Sequence, residues 1–170
     1  MIHYFAYGSN LHPVRLVERI PSARLVGCAI LPRYRLQFRQ RGEDGSGKCN
    51  IVETGHLADI VHGAIYALDP EHKPILDRFE GEGYSDEPIT LQCADRTYGC
   101  FTYMAKPAWL VDHLAPYEWY RRLVATGARH LDFPAAYIAA IESSSAVADP
   151  NLERAARHER LIERMAAYTP

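Results

Sequence analysis

No apolar run in this 170-residue chain approaches the roughly 20 residues that a bilayer-spanning helix needs. The first residues enter a β-branched and aromatic stretch at once, without the basic-then-apolar pattern of a secretory leader, so the expectation is a soluble, cytoplasmic protein. Charge of either sign is not in excess: 19 Lys and Arg stand against 21 Asp and Glu, for a net charge of -2. A chain with no strong field is a poor partner for nucleic acid or a membrane surface, and neither is expected. Cysteine is scarce, with four residues and no C-x-x-C pair, and the eight histidines contain no H-E-x-x-H. No metal site is therefore expected. Cys28, Cys93 and Cys100 fall in expected strands and read as small buried hydrophobes, whereas Cys49, at the edge of a polar loop, is the one thiol left open as reactive. No internal repeat or composition break divides the chain, so residues 1–170 are expected to form a single domain, with a C-terminal helix at about 151–168 packing on it.

What is present is a large apolar fraction, 48%, sufficient for a substantial core. Ile2 to Ala6 reads as a strand, Gly8-Ser9-Asn10 as a sharp turn, and Leu11 to Ile20 as a helix with Val14, Leu16, Val17 and Ile20 at helical spacing. A strand, a small polar turn and a helix start leave backbone N–H groups aimed at one spot, which suits a carboxylate or phosphate. Taken alone, Gly-Ser-Asn is also ordinary turn chemistry. Further strands are expected at Arg24 to Leu31, Tyr34 to Arg39, Ile51 to Glu53 and Val61 to Leu68, with a flexible loop over Arg41 to Lys48 and a hairpin of Pro88 to Ala94 with Thr97 to Met104. Helices are expected after Pro116, over Pro134 to Ile141 and over Asn151 to Tyr168, the last with Leu152, Ala155, Leu161, Ile162 and Met165 on its apolar side. Strands dominate early and helices late, an α+β order.

Asp69-Pro70-Glu71 starts another helix, which runs to Glu80 and stops at Gly81. Ile75, Leu76 and Phe79 form its expected buried stripe, Asp77 and Arg78 face away, and Glu80 falls on the stripe's edge in the last turn. Partial burial, the negative helix end and nearby Glu82 all disfavour a charged Glu80, pushing its pKa towards the range useful for a general acid/base. By pattern alone, an exposed glutamate that merely ends a helix fits as well.

Three blocks in order add a resemblance. Tyr4-Phe5-Ala6-Tyr7-Gly8-Ser9-Asn10-Leu11, then Val61 to Tyr66 with Leu76 to Gly81, then Tyr120 to Ala128 continuing through Leu131 to Tyr137, resemble the signature of the γ-glutamylcyclotransferase family. The resemblance covers most of Ile2 to Ile141. It implies an α+β fold, a small closed mixed β-barrel flanked by helices with a cavity at one end. It implies cofactor-independent cleavage of a γ-glutamyl amide with release of 5-oxoproline. It implies Glu80 as the catalytic acid/base, Tyr7, Gly8, Ser9 and Asn10, with Leu11 closing the motif, as the loop that holds the glutamyl carboxylate, and Tyr120 as a tyrosine beside the substrate.

The other readings are a module that binds γ-glutamyl groups without turnover and a cyclotransferase that deprotects a γ-glutamylated metabolite. Glu82 is the competing carboxylate, and Tyr84 and Tyr103 are pocket or core residues. Ser9 sits in no G-x-S-x-G elbow, which leaves it a positioning role. His72 lies near the helix's apolar side, and Arg15, Arg121 and Arg122 are either exposed helix arginines or partners for a substrate carboxylate. The oligomeric state is left open.

Overall fold

A computed structural model describes residues 1–169. Strand β1 (Ile2–Ala6) forms the centre of a five-stranded sheet, because its Phe5 and Ala6 are apolar and wholly buried. Beside it lie β5 (Ile60–Leu68), antiparallel, and β7 (Arg96–Ala105), parallel. The edges are β2 (Arg24–Pro32), antiparallel to β5, and β6 (Tyr84–Cys93), antiparallel to β7, giving the order β2-β5-β1-β7-β6. The register Tyr4↔Tyr66 and Tyr4↔Phe101 places three aromatic residues in one row across the sheet's centre. β3 (Tyr34–Arg41) and β4 (Gly47–Glu53) pair with each other in a separate two-stranded ribbon, to which Leu110 adds a single bridge at Gln40.

The sheet is open and mixed, which corrects the expectation of a closed barrel. Among the described residues β2 bonds only to β5, and β6 only to β7. The two edges approach closely: a Cβ on Gly27 would lie 2.6 Å from Cys93 Sγ. The Cys93 side chain stands between them there, and among the described residues no ladder of hydrogen bonds joins β2 to β6. The register of β2 slips between Leu25 and Gly27, a bulge that bends the strand locally, while the ribbon strands bond each other rather than an edge of the sheet.

Helix α1 (Pro13–Arg19) follows the Gly8 turn, with His12 as its N-cap. A 3₁₀ turn, Pro70–His72, capped by Asp69, leads into α2 (Lys73–Glu80), which ends at Gly81 with φ 77°. The expected stripe of α2 holds only in part. Leu76 is fully buried and Ile75 half-buried, but Phe79 is 51% exposed, with the Arg19 guanidinium 4.8 Å from its ring centroid. α3 (Glu118–His130) supplies the largest helical contribution to the core, α4 (Ala135–Ser143) follows, and α5 (Leu152–Ala166) packs along α3 and α1. Leu161, Ile162 and Met165 form the buried side of α5, while Leu152 is 80% exposed at its first turn. No helix among the described residues is long and apolar enough to cross a membrane.

The thiols depart from expectation in both directions. Cys49 is buried in β4, and burial pushes its pKa up to about 12, so it is not a reactive loop thiol. Cys28, expected inside, is exposed on the edge strand β2.

Candidate active site

The parallel pairing of β1 and β7 brings their C-terminal ends out at one side of the sheet, and the last turn of α2 arrives at the same place. There the chain from Tyr7 to Leu11 turns, closed by a bond from the Leu11 N–H to the Gly8 carbonyl at 3.1 Å. Gly8 is required by space: a Cβ there would lie 2.9 Å from the Cβ of Cys49 in β4. Among the described residues no backbone carbonyl or side chain accepts from the N–H of Ser9 or Asn10.

Two adjoining chambers meet this turn. The inner, of about 20 Å³, is lined by the Tyr7 to Asn10 segment, Glu80, Tyr84, Tyr103 and Tyr120. The outer, of about 300 Å³, shares Ser9, Glu80, Tyr84 and Tyr120 with it. The inner space admits only a small terminal group, so the rest of any substrate must occupy the outer one. Six arginine and lysine side chains line the outer chamber against four carboxylates, Glu43, Asp44, Glu80 and Glu82, a balance that favours an anionic ligand.

Glu80 is half-buried as a residue, but its carboxyl turns inward and accepts from Asn10 Nδ2 at 2.7 Å. Asn10, 2% exposed, is itself fixed: its Oδ1 accepts from Arg19 Nη1 at 2.9 Å, which orients the amide so that its nitrogen faces Glu80, and Nδ2 also reaches the Tyr4 hydroxyl at 3.3 Å. Desolvation raises the Glu80 pKa above the ordinary carboxylate range. The Arg19 and Arg15 charges and the Asn10 bond pull the other way, and Asp77 adds to the rise. The acid neighbour that matters is thus Asp77, one helical turn back, rather than the expected Glu82, which is exposed at the mouth. Asp77 does not face away as expected, since it accepts from the Tyr103 hydroxyl and from Lys73, both at 2.6 Å.

Tyrosines form the remaining wall. The Tyr7 hydroxyl donates to the Tyr103 carbonyl and the Tyr84 hydroxyl to the Cys49 carbonyl, each at 2.5 Å, and the Tyr120 oxygen accepts from the Cys49 N–H at 3.2 Å. Burial raises the pKa of Tyr7, Tyr84, Tyr103 and Tyr120, so all four keep their protons.

Of the residues singled out from sequence, Glu80, Tyr7, Gly8, Ser9, Asn10 and Tyr120 all meet in this hollow. Leu11 does not line it. Leu11 is fully buried beneath the turn, where its carbonyl accepts from Tyr66 Oη at 2.7 Å and a Cβ on Gly127 of α3 would lie 2.7 Å from its own Cβ. Asn10 lends its side chain to Glu80 and leaves only its N–H for a ligand. His72 bonds Ser22 Oγ at 2.6 Å instead of facing the hollow. Arg19 is the contributor that the sequence did not single out. It lies nine residues past Asn10 in the last turn of α1, and only the fold brings it back. Among the described residues no group of three or more His, Cys, Asp or Glu is placed to hold a metal ion.

Comparison with known proteins bears on this arrangement. The model of the family described as γ-glutamyl cyclotransferase, AIG2-like, matches residues 4–122. Among solved structures, the chain is similar to one named γ-glutamyl cyclotransferase, with a TM-score of 0.80 and 20% identity over 96% of this chain and 98% of that one. It is similar to an uncharacterised protein from Homo sapiens, with a TM-score of 0.79 and 22% identity over 95% and 98% of the two chains. It is also similar to YkqA from Bacillus subtilis, with a TM-score of 0.69 and 21% identity over 86% of this chain and 56% of that longer one. At these identities the likeness is one of fold. No curated protein matches the chain.

Proposed function

The chain belongs to the γ-glutamyl cyclotransferase, AIG2-like family, and from that premise we propose that it is a cofactor-independent enzyme that closes a γ-glutamyl amide into 5-oxoproline and frees the attached amine. The observation that supports this reading most is that the inward-turned carboxyl of Glu80 and the turn residues Gly8, Ser9 and Asn10 line one small chamber.

In the proposed reaction the glutamyl carboxylate seats against the turn, which pins the end of the chain that carries the α-amine. That amine, with an ordinary pKa of about 8, arrives protonated at neutral pH. Ionised Glu80 takes one of its protons, and the nitrogen lone pair attacks the substrate's own γ-carbonyl carbon. A C–N bond forms, the carbonyl electrons move onto oxygen, and they return as the original amide C–N bond breaks. Protonated Glu80 gives its proton to the departing nitrogen as that bond breaks, and the ring nitrogen then sheds its second proton through the same carboxylate to the freed amine, which leaves as an ammonium, so product and substrate atoms balance without water. A carboxyl with a raised pKa suits both halves of this shuttle. The tyrosine wall holds the chain curled, and such positioning supplies several kcal/mol of a cyclisation barrier.

The test is release of 5-oxoproline from γ-glutamyl-alanine, glutathione and γ-glutamyl-lysine. Glu80→Gln preserves the shape and the Asn10 contact and is expected to cut the rate about 10³-fold. A variant near the wild-type rate refutes the role of Glu80. A wild-type protein that releases no 5-oxoproline from any γ-glutamyl amide refutes the reaction.

A further inference from the structure

Three arginines are candidates for meeting a substrate carboxylate, and the fold separates them. Arg122 is exposed and pairs with Glu159 of α5 at 2.5 Å, and Arg121 donates to the Ser144 carbonyl at 2.5 Å. Arg15 differs. It is 8% exposed, the one Lys or Arg that is buried among the described residues. Its Nε has no hydrogen-bond partner, and no carboxylate of the described residues pairs with it. An unpaired buried guanidinium is costly, and a fold that keeps one has left its counter-charge to something else.

The surroundings supply no internal substitute. Arg15 lines the outer chamber and is absent from the lining of the inner one. Of the other groups there, Asp44 is committed to Lys48 at 2.7 Å, and Arg154 to Asp149 at 2.6 Å. Glu43 and Glu82 are exposed at the rim. His158 stacks flat on Trp119, with ring centroids 3.7 Å apart, and burial together with the Arg15 charge lowers its pKa to about 4, so it brings no negative charge and stays neutral. Glu80 is near enough to feel Arg15 without bonding to it. Arg15 therefore lines the space where the leaving part of a substrate must extend once the glutamyl carboxylate occupies the inner chamber.

Resting on the cyclotransferase reading, we propose that Arg15 is a specificity-determining residue that binds the carboxylate of the departing amino acid, so that amides of α-amino acids are preferred to amides of uncharged amines. Arginine suits this task because its planar fork meets a carboxylate through two parallel hydrogen bonds. The product amino acid keeps that carboxylate, so the same contact holds until the departing group leaves.

The experiment compares γ-glutamyl-alanine with γ-glutamyl-alaninamide, which has nearly the same shape without the charge. Wild-type kcat/KM is expected to favour the carboxylate by about 10- to 100-fold, with the gap mainly in KM. In Arg15→Met the ratio is expected to collapse towards one. Arg15→Lys, which keeps the charge and loses the fork, is expected to retain an intermediate ratio and gives the same readout should the methionine variant fail to fold. Losing an unpaired buried charge is also expected to leave the Tm equal or higher. A ratio that Arg15→Met leaves intact overturns the assignment, whether both rates are unchanged or both fall equally; equal falls would place Arg15 at the glutamyl carboxylate or in the scaffold. These outcomes presuppose turnover. A wild-type protein inactive on both compounds but active on another γ-glutamyl amide overturns this assignment alone, and one that releases no 5-oxoproline from any γ-glutamyl amide sinks the cyclotransferase reading with it.

Discussion

Glu80 and Asp149 are the same functional group in opposite settings. Asp149 is 6% exposed, like a core residue, yet every lone pair is answered: Arg154 grips it through Nε at 2.7 Å and Nη2 at 2.6 Å, Trp119 Nε1 donates at 2.7 Å, and the Asn151 N–H donates at 2.8 Å. Its pKa is held well below the ordinary range, first by Arg154. Glu80 has one short bond, from Asn10, and its cations stand off. The acid with complete partners ties α5 to α3 and cannot readily give or take a proton. The acid left short of partners is poised to do both. Stability and reactivity place opposite demands on a buried carboxylate, and this fold meets both beside the first turn of α3, where Trp119 bonds Asp149 and Tyr120 lines the Glu80 chamber.

Exchanging the two effects is the sharpest way to test that contrast. Glu80→Gln is expected to remove about 10³-fold of turnover with little change in Tm. Asp149→Ala is expected to do the reverse, lowering stability by about 3 kcal/mol because it strands the Arg154 charge and the Trp119 N–H. In a protein of this size that is a fall in Tm of roughly 6–12 °C, visible by calorimetry, with turnover per folded molecule retained in the cold.

Acidity separates the two carboxylates again. The folded pKa of Asp149 is depressed, so its contribution is complete at neutral pH and is lost as pH falls below the ordinary Asp value of about 4. The folded pKa of Glu80 is raised, so ionising it opposes folding, and that cost grows as pH rises through the window above the ordinary Glu value. The Tm difference between Glu80→Gln and wild type is therefore expected to widen in favour of the variant from pH 4 to pH 8; a difference that shrinks would contradict the raised pKa.

A smaller effect comes from Arg19→Gln. Removing this charge lifts the Glu80 pKa further, so the acid limb of kcat/KM is expected to move to higher pH, with a greater loss at pH 6 than at pH 8. The mildest test concerns the thiols: under native conditions iodoacetamide is expected to label exposed Cys28 well before Cys49, whose labelling should wait for unfolding.

Much of the secondary structure was legible because its signals are local. The strand Ile2–Ala6, the Asp69-Pro70 helix start and the Gly81 stop are matters of residue type and spacing, and the structure has them there. Phe79 misled because an apolar residue at helical spacing normally faces a core, whereas here a cation from α1 covers it in the open. Cys49 misled because the loop before it is shorter than its composition suggests, and β4 starts at Gly47. Barrel closure was not legible at all, since whether two edge strands meet depends on a bulge and on the side chains between them.

The chain's own order of residues determined that a polar turn would follow the first strand, that a glutamate would end α2, and that tyrosines would be plentiful; these follow from steric and hydrogen-bonding preferences acting over a few residues. Only the tertiary structure decided that Asn10 would face Glu80 across 70 positions of sequence, that Arg19 would hold the amide between them, and that Arg15 would be enclosed without a counter-ion. Desolvation and charge proximity are properties of the space around an atom, and that space is assembled by packing from segments far apart along the chain.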